Sequence, residues 1–353
     1  MRLWKILVLS FVLLLCTAYN TVGANTVMIV DSAGRSIELT EPLERVVVLN
    51  PPAAEILRVL GKTEGVIAVS GSLANNPIQW PEFVDTPVVA SSAMREPYYE
   101  SVVSLRPQAV ITYGTHPVVD VTAMAEALAP AGIIVIGVDG YKFETLLDDV
   151  LLMGQLFEAE QEASRLYQFF EEALSSVDDV VLEIPLAQRK TVYAETHGGA
   201  YHAFGAGSEW NWMLERAGLR NVFVGIQQTS SEIDPEQLLA KNPDLILKDQ
   251  PRSGVPMGIG ATDNTPAEMF IEEMKSRSGW SMLQAVQSGN IYVISRDLGA
   301  GPGKLLAIPY LAKLAYPDKL SDLNPQDLLR RYFEEFQGME FSGLFIYPEV
   351  VYE

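Results

Sequence analysis

Residues 45–61 read RVVVLNPPAAEILRVLG, an apolar run followed by a helical pattern. The run from Val46 to Leu49 has no polar interruption, which is typical of a strand buried on both faces of a parallel sheet. Pro52 stands where a helix can begin and Gly61 lies just past its last apolar residue, so residues 53–60 are predicted to be a helix. A buried strand that leads directly into a helix is the repeating unit of an α/β fold.

The same alternation continues on both sides of this stretch. Before it, two β-prone runs, Val27 to Val30 and Ser36 to Leu39, flank a glycine-containing turn and predict two short strands. After it, the predicted strands are residues 65–69, 109–113, 133–138, 191–194, 245–248 and 291–294. The predicted helices are residues 98–105, 119–129, 207–217, 235–240, 303–315 and 324–336. This spacing predicts an α/β protein with two lobes, each built on a mostly parallel sheet covered by helices.

Between the two lobes, residues 143–177 keep the spacing of apolar residues that is typical of a helix. A single helix of about 35 residues would be roughly 50 Å long and would join the lobes as a rigid strut. The alternative is two helices with a break near residues 154–160, where Gly154 lies.

The first residues of the chain have the pattern of a secretory signal peptide. Arg2 and Lys5 precede a short apolar run, and Val22 and Ala24 supply the small residues of a cleavage site. A retained membrane anchor is the alternative. Cys16, the only cysteine, lies in this segment, so cleavage would leave no thiol for catalysis, disulfides or zinc. The predicted segments are the signal peptide 1–24, the N-terminal lobe 25–142, the connecting helix 143–181 and the C-terminal lobe with an extra tail 182–353.

The composition and the motifs argue against several classes of function. Among 353 residues, 25 Lys and Arg against 45 Asp and Glu give a net charge of −20, which excludes a general attraction to nucleic acid or to an anionic membrane. Residues 299–304 lack the first glycine and the final hydroxyl of a P-loop, and no Gly-x-Ser-x-Gly elbow is present. His197 and His202 are five residues apart, so they do not share a helix face. We therefore predict no catalytic residues, no metal site and no resident cofactor.

Polar and aromatic side chains gather where the predicted strands end. Ligands of open α/β sheets bind beyond the carboxyl ends of the strands, so these loops form the candidate binding surface. Arginine and aromatic side chains together suit a bulky, partly apolar, anionic ligand. The alternatives are that the aromatic residues pack the helices they start and that the arginines face solvent. The candidate ligand-binding residues are Asn50, Arg95, Tyr98, Tyr113, Tyr141, His197, Tyr201, Trp210, Arg252 and Arg296.

The order of several short motifs resembles one transport family. The motifs are Asp31-x-x-Gly34-Arg35, Arg45-Val46-Val47, Pro52-Ala53-x-Glu55-Ile56-Leu57, Leu105-Arg106-Pro107-x-Ala109-Val110-Ile111, Asn242-Pro243-Asp244-Leu245-Ile246 and Trp280-x-x-Leu283-x-Ala285-Val286. Together they resemble the substrate-binding proteins of iron-siderophore and cobalamin ABC transporters, the class III type of periplasmic binding protein, in which a helical backbone joins two lobes. The chain departs from that pattern in residues 253–266, which look like an inserted loop, and in a tail from Pro317 to Glu353.

This resemblance implies a protein without catalytic activity that captures an iron(III) chelate or a corrinoid between its lobes. It would deliver this cargo to a membrane permease with a cytoplasmic ATPase. The same scaffold also carries haem and oxyanions such as molybdate, and an exported enzyme is a further alternative. We expect a monomer in the periplasm or on the outer cell surface.

The resemblance also implies docking residues. In the family, an acidic side chain on each lobe pairs with arginines of the permease. The candidates are Glu82 or Asp85 on the first lobe and Glu232 or Glu236 on the second. In so acidic a chain, the alternative is that each is an ordinary solvated carboxylate.

Overall fold

The computed structural model describes residues 26–298 and 301–349. The predicted signal peptide, its cleavage site and Cys16 lie outside the described residues. Within those two ranges, no helix is both long and apolar enough to cross a lipid bilayer.

The first lobe combines an antiparallel hairpin with a parallel sheet. Its strands are β1 Val27–Val30, β2 Ser36–Leu39, β3 Val46–Val48, β4 Val66–Ser70, β5 Val88–Ala90, β6 Ala109–Thr112 and β7 Ile134–Gly137. Its helices are α1 Pro51–Val59, α2 Gly71–Ala74, α3 Tyr99–Leu105 and α4 Val121–Leu128. β1 and β2 are the two predicted strands and pair antiparallel across their turn, and the parallel sheet has the order β5–β4–β3–β6–β7. β3 lies at its centre and is completely buried, as its apolar sequence predicts.

Two helices, not one, follow the first lobe. They are α5 Leu146–Leu156 and α6 Glu160–Leu182. The prediction of an unbroken helix over residues 143–177 is therefore wrong, and the alternative with a break near residues 154–160 is confirmed. The long helix that joins the lobes is α6, whose 23 residues span about 35 Å at 1.5 Å per residue.

The break between α5 and α6 has a local cause. Glu158 adopts a left-handed conformation with φ of 48°, and the amide of Ala159 donates to the carbonyl of Gly154 at 2.8 Å. Gly154 also lets the two helices approach closely, because a Cβ at this position would lie only 2.5 Å from the Cβ of Ala163. The apolar spacing continues across the turn because both helices cover the same core.

The second lobe has a parallel centre and antiparallel edges. Its strands are β8 Thr191–Glu195, β9 His202–Phe204, β10 Arg220–Asn221, β11 Ser230–Glu232, β12 Leu245–Asp249, β13 Gly258–Ile259, β14 Ile291–Ile294, β15 Gly343–Leu344 and β16 Ile346–Tyr347. Its helices are α7 Glu209–Arg216, α8 Pro235–Lys241, α9 Thr265–Lys275, α10 Gln284–Gln287, α11 Ala307–Ala315 and α12 Pro325–Arg331. The sheet has the order β11–β9–β8–β12–β14–β16, with β10 beside β8. At the centre of the sheet, β12 runs parallel to β8 and β14. At the edges, β9 pairs antiparallel with β8 and β11, and β16 pairs antiparallel with β14.

The segment that looked like an inserted loop pairs with the C-terminal tail. It contains β13, which pairs with β15 of the tail, while β16 extends the sheet beside β14. α12 begins as predicted, with Asn324 as its N-cap and Pro325 in its first position. The tail then packs the rings of Tyr332 and Phe336 on Phe169 of α6, with centroid distances of 6.4 and 4.7 Å. The tail is therefore an integral part of the core.

Candidate functional site

A cavity of about 360 Å³ lies between the lobes. One wall comes from the first lobe, where Pro51 and Glu55 belong to the helix that follows β3. The other wall comes from the loops that follow β12 and β14. Ligands of α/β sheets bind at these carboxyl ends of strands. The lining residues are Pro51, Glu55, Asn76, Gln79, Gln250, Pro251, Arg252, Met257, Arg296, Asp297 and Gly301.

Two guanidinium groups, those of Arg252 and Arg296, line the second-lobe wall of this cavity. Both follow strands at the sheet edge that the sequence predicts to bind ligand. The backbone amide of Arg296 donates to Oε1 of Gln250 at 3.0 Å, which joins the loop after β14 to the loop after β12. The wall therefore presents two permanent cations from loops that brace each other.

Arg252 is oriented by a chain of two further side chains. Its Nη2 lies 3.0 Å from Nε2 of His197, and Nδ1 of His197 lies 3.0 Å from Oδ2 of Asp249. Because a guanidinium group can only donate, Nε2 accepts from Arg252 and Nδ1 donates to Asp249, which makes His197 neutral in this arrangement. Burial raises the pKa of Asp249, although the hydrogen bond from His197 opposes this effect. His197 thus contacts the cation that lines the cavity.

Glu55 places a carboxyl group on the opposite wall. Its Oε1 accepts hydrogen bonds from the hydroxyl of Tyr332 and, at 3.2 Å, from the amide of Gly303. Burial raises the pKa of Glu55 to about 7, although these two hydrogen bonds and the charge of Arg58 oppose the shift. Burial likewise raises the pKa of Asp297, whose Oδ2 accepts from a backbone amide at 2.8 Å.

Three aromatic residues cluster at the ends of β6 and β7 in the first lobe. The ring centroid of Tyr113 is 5.3 Å from that of His116 and 5.5 Å from that of Tyr141. The buried carboxylate of Asp139 holds their loop, since it accepts from the two amides that follow Tyr113, each at 2.9 Å. Burial raises the pKa of Tyr141 to about 12 and lowers the pKa of His116. The cluster is therefore an uncharged aromatic surface at neutral pH.

Other candidate ligand residues have different surroundings. Asn50 is completely buried and donates to the carbonyl of Val138 at 2.7 Å, so it joins the ends of β3 and β7. Trp210 is 8% exposed and stacks on Phe204 at 4.9 Å, which agrees with the alternative that it packs its own helix. Tyr201 has its ring 5.5 Å from the guanidinium carbon of Arg277. These three side chains are not part of the cavity lining.

Arg95 and Tyr98 lie on the exposed loop before α3, and neither lines the cavity between the lobes. Of the docking candidates, Asp85, Glu232 and Glu236 are exposed. Glu82 is exposed as well, and it forms an ion pair with Arg58 at 2.8 Å. This pair sets Glu82 apart from the other three carboxylates.

Sequence reasoning did not identify the first-lobe wall of the cavity. Glu55 has a recognisable position, one turn into the helix that follows the central strand, which brings it to the ligand-binding edge of the sheet. Asn76 and Gln79 follow α2 in an irregular segment, so no periodic pattern indicates them. Among the described residues, no cluster of three or more His, Cys, Asp and Glu side chains could hold a metal ion.

Three known proteins are similar to this chain over most of its length. The chain is 24% identical over 301 residues to YvrC of Bacillus subtilis, an uncharacterized ABC transporter substrate-binding lipoprotein, which covers 84% of this chain and 87% of YvrC. It is 20% identical over 341 residues to the molybdate-binding protein MolA of Haemophilus influenzae, with 89% and 92% of the two chains covered. The structure of the TroA-like periplasmic binding protein FepB from Veillonella parvula matches with a TM-score of 0.76 and 25% identity, over 90% of this chain and 98% of FepB.

The family model described as periplasmic binding protein matches residues 46–298. This range begins at β3, includes both connecting helices and ends just after β14, so it covers the parallel centres of both sheets. It also contains every cavity-lining residue except Gly301. The predicted family and the predicted two-lobe α/β fold are thereby confirmed, and the chain belongs to the periplasmic binding protein family.

Proposed function

We propose that the protein captures an anionic solute, foremost an iron(III) chelate, between its lobes and delivers it to the permease of an ABC importer. The observation that carries this proposal is the pair Arg252 and Arg296 on one wall of the cavity. Guanidinium groups bind carboxylates and other anionic oxygen atoms through charge-assisted, often paired, hydrogen bonds. Iron(III) chelates present such oxygen atoms on their surface and often carry negative charge. The protein itself would carry out no reaction on its cargo.

The cavity size favours a compact cargo. Its volume of about 360 Å³ is near the lower end of small-molecule sites. A corrinoid or a haem is bulkier than this volume, so a small chelate is the better fit of the cargoes that the family resemblance implies. The second candidate is an oxyanion such as molybdate, which the small cavity and the name of the Haemophilus influenzae relative favour.

Delivery to a permease is supported by the surface of both lobes. Asp85 on the first lobe and Glu232 and Glu236 on the second are exposed carboxylates that permease arginines could pair with. This role places the protein outside the cytoplasm, after export by the segment 1–24 or held by it as an anchor. N-terminal sequencing that starts at Asn25 would support cleavage, whereas a chain that starts at a lipidated Cys16 would contradict it.

Calorimetric titration with ferric citrate and with molybdate tests the proposal. For whichever probe binds, Arg252→Ala and Arg296→Ala should each weaken binding by about ten- to a hundredfold, the loss expected for a hydrogen bond to a charged group. Arg220→Ala is the matched control, because Arg220 is exposed and does not line the cavity. If both cavity variants bind within about twofold of the unchanged protein, the cavity is not the cargo site.

A further inference from the structure

The two walls of the cavity between the lobes differ in chemistry. The second-lobe wall carries both guanidinium groups, which can only donate hydrogen bonds, and the carboxyl group of Asp297, whose Oδ2 already accepts from the backbone amide of Ile259. The first-lobe wall carries no cation and instead presents the carboxyl group of Glu55 and the side-chain amides of Asn76 and Gln79. An anion that fills the cavity therefore meets the two guanidinium donors on the second-lobe side and the acidic acceptor Glu55 on the first-lobe side.

The position of Glu55 leaves one carboxyl oxygen directed to the cavity. Its Oε1 is occupied by the hydroxyl of Tyr332 and the amide of Gly303. Its Oε2 lies against Gly301, which lines the same cavity, so closely that an added Cβ at Gly301 would collide with it. Within the described ranges, no side chain or backbone amide donates to Oε2.

A carboxylate in this position discriminates between anions. A fully ionised anion without a proton, such as sulfate or molybdate, would place oxygen acceptors against another acceptor and would be repelled. An anion that also carries a hydrogen-bond donor, such as hydrogen phosphate or a chelate with a free hydroxyl group, can accept from the guanidinium groups and donate to Glu55. An acceptor in a desolvated site is costly when it has no donor.

We propose that Glu55 is a specificity-determining residue, and that the cargo is an anion bearing at least one hydrogen-bond donor. The donor contacts Glu55, and the anionic oxygen atoms contact Arg252 and Arg296. This inference rests on the proposed function, because it concerns the same cavity. It favours hydroxyl-bearing chelates over molybdate.

Protonation of Glu55 modulates this selectivity. Burial raises the pKa of Glu55 to about 7, and the carboxyl group of Asp297 adds to this shift. The hydrogen bonds from Tyr332 and Gly303 and the charge of Arg58 oppose it but are outweighed. Above this pH the carboxylate only accepts, and a donor-free anion is rejected. Below it the neutral carboxyl can donate, so the rejection weakens.

The first test uses hydrogen phosphate and sulfate, which have the same shape and, at about pH 8, the same charge, although only phosphate carries a proton. At this pH, above the pKa of about 7, Glu55 is mainly ionised. The purified protein should bind hydrogen phosphate at least about tenfold more tightly than sulfate. Glu55→Gln should abolish this preference, because the amide can donate to sulfate. Glu64→Gln, at an exposed acid outside the cavity, should leave it unchanged.

A second measurement needs no change at Glu55 and so does not depend on a folded variant. Sulfate keeps its charge between about pH 8 and pH 6, and its affinity should rise about tenfold across this range as Glu55, with a pKa of about 7, takes up a proton. His197 contacts Arg252, and Asp297, whose pKa is raised by burial, lines the same cavity. The same titration in His197→Gln and in Asp297→Asn therefore isolates the contribution of Glu55.

Each outcome decides one of the two proposals. If sulfate binds as tightly as hydrogen phosphate at about pH 8, or if Glu55→Gln leaves the preference unchanged, the role assigned to Glu55 is overturned. Sulfate affinity that stays constant from about pH 8 to pH 6 also overturns it. If Arg252→Ala and Arg296→Ala do not weaken a probe that binds, or if phosphate, sulfate, ferric citrate and molybdate all fail to bind, the proposed function fails as well.

Discussion

Arg252 is held at the cavity wall by His197, which in turn is held by Asp249. His197, which follows β8, lies 3.0 Å from the guanidinium group, and Asp249, the last residue of β12, lies 3.0 Å from the other ring nitrogen of His197. The carboxylate fixes the histidine tautomer, and the histidine then accepts from Arg252. Asp249 and His197 are therefore positioning residues, which act on the cargo through Arg252.

We expect Asp249→Asn to weaken the binding of ferric citrate or molybdate by about tenfold, since Arg252 loses its fixed orientation. Titration calorimetry measures the effect, and Asp179→Asn on the exposed face of α6 is the control. In an Arg252→Ala background the same change should have little further effect, because both act through one group. Full additivity of the two losses would contradict the positioning role.

Glu195 is the acidic centre of a buried charge cluster in the second lobe. It accepts hydrogen bonds from Arg277 at 2.7 and 3.1 Å and pairs with Lys248 at 3.0 Å. Burial pushes the pKa of Glu195 upward, but the hydrogen bond and charge of Arg277, together with Lys248, outweigh burial and hold it below its usual value. A carboxyl group with a depressed pKa in the folded state stabilises the fold at neutral pH and loses this contribution under acid.

Glu195→Gln should therefore lower the free energy of unfolding at neutral pH by about 3–5 kcal/mol, because it leaves two buried cations without their counter-charge. The difference between the two proteins should shrink as the pH falls through the folded pKa of Glu195, which lies below the usual value of 4.5. Denaturant unfolding at a series of pH values measures both effects. A difference that is constant with pH would show that the charge is not responsible.

The sequence predicts the arginines of the site better than their partners. Arg252 and Arg296 follow apolar strands, and the rule that ligands bind at strand ends indicates them directly. Glu55 acquires its role from Tyr332 and Gly303, which are about 250 or more positions away along the chain. Local sequence patterns do not indicate such long-range contacts, since these contacts depend on how the two lobes pack against each other.

At the scale of elements, the turn between α5 and α6 depends on one glycine. A side chain at position 154 would bring its Cβ to 2.5 Å from the Cβ of Ala163, so the helices would have to separate. Gly154→Ala should destabilise the protein by about 1–3 kcal/mol, as overpacking does in a filled core. Gly225→Ala is the control, because a Cβ there has no neighbour within 4 Å. Equal unfolding midpoints for the two variants would contradict this explanation.

Element prediction succeeds where the local signals are complete. β3, with its uninterrupted apolar run, and α12, with Asn324 and Pro325 at its start, occur as predicted. The connecting region differs because both helices keep the same apolar spacing across a turn made by Glu158, a residue that does not usually favour a left-handed conformation. Periodicity identifies the buried face but does not report the point at which the chain reverses.

For the whole molecule, two connections restrain the lobes. One is α6, and the other is the tail, where Gln337 accepts from Nη1 of Arg58 at 3.2 Å and donates to the carbonyl of Glu55 at 3.3 Å. We expect the radius of gyration in X-ray scattering to change little when ferric citrate or molybdate binds, since a long helix resists bending more than a pair of extended strands does. A decrease as large as a wide hinge closure produces would contradict this restraint.

The contact between the tail and α1 also has a consequence for how the chain is synthesised. Arg58 and Gln337 are 279 positions apart, so the ribosome completes the first lobe long before it makes the segment that covers it. A chain interrupted before Tyr332 would lack β15 and β16, leave the edge of β14 unpaired and deprive Glu55 of its hydroxyl donor. Such a fragment would expose surface that proteases and chaperones recognise. The tail therefore distinguishes a chain synthesised beyond its contacts with the first lobe from one interrupted before Tyr332.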